Sequence, residues 1–168
     1  MEKAREQQIS GTLRELADSL PKLPDGRIDY SHANRAAVLT CIVRYRGKIL
    51  LLKRSNKVHS YQGKWCGVAG YLDELRPYDE MVYQELREEL GIRQEDVETL
   101  TYGEPYEFTD DQTGKTWVVF PVLADMKSAP NIEIDWEHVD FEWVEPERID
   151  EFDTVPRLKE SLKRVLPA

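Results

Sequence analysis

GYLDELRPYDEMVYQELREELGI, residues Gly70–Ile92, is the stretch whose reading decides the fold. From 78 to 90 it places Val82, Leu86 and Leu90 at i, i+4 and i+8, which puts one apolar stripe along a helix. Glu85, Glu88 and Glu89 fall on another face, and Gly91 supplies the usual stop. Residues three and four apart on a helix are neighbours, so these glutamates form one small patch of like charge. A hard divalent cation with oxygen ligands relieves that repulsion, and magnesium favours a few carboxylates while keeping positions for water and phosphate. The same three residues are also what the solvated face of an acidic protein carries.

Outward from this helix the pattern turns to strands. AVLTCIV and KILLLK flank Tyr45, Arg46 and Gly47 between Ala36 and Arg54, which predicts a β-hairpin. A further apolar run spans Trp65 to Leu72. Beyond the helix, YEF at 106–108 and TWVVFPVLADM are separated by the turn-forming DDQTG, a second hairpin, and FEWV at 141–144 reads as another strand. Val155 to Leu166 predicts a closing helix with Pro156 in its first turn. At the other end, Ile9, Leu13, Leu16, Ala17 and Leu20 predict a leading helix, which the prolines and glycine of Pro21 to Gly26 terminate. The division expected is an N-terminal helix and linker over 1–34 and one catalytic domain over 35–168. Mixed strands around a mid-chain helix argue for an α+β sandwich, helix on sheet.

Composition narrows the partners. With 32 acidic against 23 basic residues in 168, the net charge of −9 repels nucleic acid and anionic membranes. Neither is expected as a partner; a small anion screened by metal is. Cys41 and Cys66 lie in no metal-binding spacing and read as reduced core thiols. The polar start MEKAREQQIS and the absence of a long apolar run lead to the expectation of a cytoplasmic protein.

The stretch Gly70–Ile92 resembles the Nudix box, G-x5-E-x7-R-E-U-x-E-E-x-G-U with U aliphatic, through Gly70, Glu85, Leu86, Glu88, Glu89, Gly91 and Ile92. Arg76 stands where the pattern has glutamate and Gln84 where it has arginine. The resemblance extends over about Ala36 to Leu166, through LLLKRS, GKWCGVAG and FEWVEPERI. It implies an α/β/α sandwich with a mixed sheet, here preceded by the N-terminal helix. It further implies a hydrolase that cleaves a diphosphate linkage in a small nucleotide-like substrate, with Mg2+ or Mn2+ held by Glu85, Glu88 and Glu89. Glu88, Glu89 and the loop residue Glu137 are its expected catalytic groups.

Arg54, Lys64 and Arg76 are candidate phosphate-binding residues, and Arg76 is the better placed of the chain's arginines to supply Glu85 with the charge that Gln84 lacks. Tyr71, Tyr106, Phe108 and Trp117 could stack on a base, although strand aromatics are more often core. Of three histidines only His138, beside Glu137, draws attention. Two other readings stay open: a nucleotide-binding or regulatory module that kept the fold and lost turnover, and an isoprenoid diphosphate isomerase using Cys66. A homodimer is compatible with each of them.

Overall fold

Alternation along the two inner strands divides their side chains between two cores. In β1 (Arg35–Tyr45), Leu39, Cys41 and Val43 enter one core and Ile42 the other; in β2 (Lys48–Arg54), Leu50 and Leu52 separate in the same way from Ile49 and Leu51. Such strands are covered on both faces by helices. The structure, a computed structural model, describes residues 2–166.

On the first face lie α1 (Glu2–Ser19) and α2 (Tyr78–Leu90), which bury Ile9, Leu13 and Leu16 and Tyr78, Val82, Leu86 and Leu90 in a shared core. On the second lies α3 (Leu158–Val165), which buries Leu158, Leu162 and Val165 against Ile42, Ile49, Leu51, Leu123 and Val144. Each fully buried leucine contributes about 1.5–3 kcal/mol, so either face alone would be costly to leave open.

Between the helices runs one eight-stranded mixed sheet. Its remaining strands are β3 (Trp65–Cys66), β4 (Val68–Tyr71), β5 (Val97–Tyr102), β6 (Tyr106–Thr109), β7 (Thr116–Met126) and β8 (His138–Val144). The path β3-β2-β1-β7-β5 forms the spine, with β4 paired to β1, β6 to β7 and β8 to β2. The β1–β7 pair is parallel, from Arg35 opposite Thr116 to Arg44 opposite Asp125; the other pairs are antiparallel. This is the expected helix–sheet–helix sandwich with its additional leading helix. Among the described residues no helix is long and apolar enough to cross a membrane.

Three local readings are corrected. The run Trp65–Leu72 is two strands, broken at Gly67, where a β-carbon would lie 2.8 Å from the Cys41 carbonyl oxygen. The closing helix begins at Leu158 and not at Val155, because the preceding segment is bound to the sheet: Trp65 donates to the Asp153 carbonyl at 2.9 Å and Val155 to that of Trp65 at 2.9 Å. Arg157, at φ 66°, then makes the turn into α3. VETLTY, which carries only Val97 as a buried residue, forms β5 without an apolar pattern to announce it.

Candidate active site

The site begins with a glycine. Gly70 lies in β4 opposite Leu39, on the face toward α2, and a β-carbon there would sit 2.5 Å from Glu85 Cδ. Only a residue without a side chain lets the Glu85 carboxylate rest against the strand. At the far end of α2, Gly91 adopts φ 70°, and the helix-end carbonyl of Leu90 accepts the Glu133 N–H at 2.9 Å. That bond satisfies one of the carbonyls a helix end leaves open and draws the segment before β8 over the carboxylates. Asp135 shapes this segment further: its Oδ1 accepts the Glu137 N–H at 3.2 Å and lies 3.0 Å from His138 Nδ1.

The result is a concentration of acid with little to neutralise it. Glu89 is buried, 4% exposed, and its Oε2 has no hydrogen-bond partner among the described residues. Its pKa is driven well above the ordinary range by burial, then by the charge of Glu85 and a hydrogen bond with that carboxyl, and then by the charge of Glu137 and Asp135. Burial likewise pushes Glu85 up to about 7, with Glu88 and Glu137 adding repulsion. Glu137, half-buried, is raised by burial and by Asp135 and is restrained by Arg54. Glu88 stands exposed at the rim, where Gln84 Nε2 donates to its Oε1 at 2.9 Å. Glu85, Glu89 and Glu137 therefore converge, with Glu88 at the edge. His138, 5% exposed, joins them, its Nε2 3.7 Å from Glu89 Oε1.

The basic candidates separate. Arg54 lines a cavity of about 180 Å3 with Cys66, and its charge reaches Glu137 and His138. Lys64 instead pairs with Asp153 at 2.9 Å. Arg76 does not reach Glu85 as its expected role required. It donates to Gln84 Oε1 at 2.6 Å and lies 3.3 Å from Glu74 and 3.8 Å from Glu80. It sits just before the first turn of α2, over the face carrying Glu80 and Gln84, whereas Glu85 points toward Gly70.

The cavity beside Arg54 lies where α3 leaves the sheet uncovered. Val38, Thr40 and Val119 are among its lining residues, with Tyr106, Phe108 and Trp117 around them. These aromatics are half-buried and line an opening, in contrast to the core role more usual on strands; Tyr71 is 47% exposed and contacts Trp117 with ring centroids 5.8 Å apart. A larger depression of about 540 Å3 lies between α1 and residues 75–77, but none of the α2 glutamates lines it. Both thiols are buried, and that of Cys66 is pushed up to about 12 by burial, so it stays protonated at neutral pH.

What sequence reading missed is Asp135, whereas His138 stood out among the histidines without an assigned role in the site. The only local signal of Asp135 is its position to bond the backbone two residues on, which is a turn signature and not a site signature.

The NUDIX domain family model matches residues 33–166. The nucleoside triphosphatase NudI of Escherichia coli O139:H28 is 24% identical over 139 residues, covering 77% of this chain and 96% of that protein. Among solved structures, the MutT protein from Methanosarcina mazei Go1 superposes with a TM-score of 0.62 at 23% identity, over 80% of this chain and 94% of the other. An Ap4A hydrolase of C. elegans gives 0.60 at 21% identity, over 79% and 94%. The two structures share the fold, and the family match extends over most of the chain: this protein belongs to the NUDIX domain family and is an enzyme of the Nudix pyrophosphohydrolase type.

Proposed function

We propose that the enzyme hydrolyses a P–O–P linkage in a nucleoside diphosphate derivative or a related small substrate, with Mg2+ or Mn2+ held by Glu85, Glu88 and Glu89. The observation that carries this reading is Glu89, whose buried Oε2 makes no hydrogen bond among the described residues while Glu85 and Glu137 crowd the same space. Burying an unpaired carboxylate costs several kcal/mol, and an all-oxygen donor set fits a hard cation. The bound ion would offset charge on phosphoryl oxygens and acidify a coordinated water.

The chain's own groups supply the rest. Glu137, half-buried and raised in pKa, is suited to accept a proton from the attacking water. Arg54, at the junction of the acidic cluster and the cavity, is placed to fork onto phosphate oxygens. Phe108 and Trp117 offer flat apolar surface for a base. The names of the relatives, a nucleoside triphosphatase and an Ap4A hydrolase, agree with a nucleotide carrying a phosphate chain.

The test is product analysis with Mg2+ in 18O-water across nucleoside diphosphate sugars, dinucleoside polyphosphates and nucleoside triphosphates. Cleavage of at least one class with label on a phosphate product is the expected result. Tight nucleotide binding without turnover of any class would identify a regulatory module instead.

A further inference from the structure

The histidine of this site is held in a way that an all-oxygen magnesium site does not require. One donor atom each from Glu89, Glu137 and His138 lies within 4.8 Å of the other two. A single ion with metal–ligand bonds of about 2.0–2.2 Å spans such a set after a small closure. His138 Nδ1 faces Asp135 Oδ1 at 3.0 Å, and an ionised carboxylate only accepts, so Nδ1 carries the proton and Nε2 the lone pair.

Nε2 then faces Glu89 Oε1 at 3.7 Å, too far for a direct hydrogen bond, in a place from which solvent is excluded. The Cys66 thiol, also 3.7 Å from Nε2, is a weak donor and does nothing for the carboxylate. Glu89 Oε2 is meanwhile buried and makes no hydrogen bond among the described residues, so a polar group is missing on the carboxyl. A cation bound to both Glu89 and Nε2 supplies the partner that the carboxyl lacks and gives the ring nitrogen a stronger one than the thiol. Asp135 then performs the task of the outer carboxylate behind a metal-bound imidazole, fixing tautomer and ring orientation.

We infer that His138 Nε2, with Glu89 and Glu137, forms a mixed nitrogen and oxygen cation site that selects a first-row transition ion over Mg2+. This rests on the hydrolase reading above and narrows it. Imidazole favours transition ions, whereas Mg2+ favours carboxylate and water, so the added nitrogen acts on selectivity between ions more than on total charge.

The probe is Mn2+ alone, added to the metal-free protein and examined by pulsed electron paramagnetic resonance, with 15N-histidine labelling as control. A 14N coupling that changes on labelling and vanishes in His138→Gln is expected. Competition with Co2+ and Mg2+ should show the Co2+ preference falling about 10 to 100-fold in that variant. If His138→Gln does not fold, the labelled and unlabelled wild-type spectra decide the matter by themselves. Mn2+ bound without nitrogen coupling, with Mg2+-dependent hydrolysis intact, would overturn the inference and leave the hydrolase reading standing. Absence of any Mn2+ or Mg2+ binding would overturn both.

Discussion

Glu89 is where the protein invests stability in chemistry. A carboxyl 4% exposed, with an oxygen that makes no hydrogen bond among the described residues, destabilises the metal-free fold and resists ionisation, so Glu89→Gln removes an ionisable group at little structural cost. Turnover is expected to fall by more than about 100-fold, since even outer-shell partners of metal sites are worth 10 to 100-fold, while the metal-free melting temperature stays level or rises. Thermal melts beside steady-state kinetics check this; a large fall in melting temperature with intact activity would remove Glu89 from the site. Gly70 gives the converse case. Gly70→Ala forces a methyl to within 2.5 Å of the Glu85 carboxyl carbon, and the Glu85 side chain must swing away from the strand. Weaker metal binding, with a stability change below about 1 kcal/mol by urea denaturation, is expected from that displacement.

At the scale of elements, α2 was legible almost to the residue: the i, i+4, i+8 stripe and the Gly91 stop describe Tyr78–Leu90 as found. The segment before β8 was not, because it is placed by a backbone bond from Glu133 to the end of α2, and composition cannot announce such a contact. Hence Glu137 could be proposed from its position before the strand and His138 noted beside it, while Asp135 was passed over. The departures from the box show a similar limit. Sequence spacing suggested that Arg76 serves Glu85, whereas it binds Gln84, which in turn holds Glu88. Restoring the family residue with Gln84→Arg would therefore set one guanidinium against another. The single substitution is expected to lower stability, and Arg76→Ala combined with it to recover the loss, in a double-mutant cycle followed by thermal or urea melts. Additive effects would show that the two side chains do not interact.

For the whole molecule, the acidic site couples folding to pH and metal. Glu85 is raised from the ordinary 4.5 to about 7, so its contribution is fully present below pH 4.5 and is lost as pH rises through about 7. A bound cation restores it, because the ion takes the place of the proton. The stabilisation on adding Mg2+ or Mn2+, read as a rise in melting temperature, should thus grow between about pH 5 and about pH 7.5, on either side of the raised pKa, reaching about 2.7 kcal/mol at a hundredfold excess over Kd. An equal shift at both pH values would separate metal binding from the α2 carboxylates.

The most direct test of the central claim follows one substrate found by the product survey, by 31P nuclear magnetic resonance, through Mg2+, excess chelator and restored Mg2+. The account predicts cleavage in the first and third conditions, none in the second, and none by Glu89→Gln in any. Continued cleavage of the P–O–P bond in excess chelator would contradict it.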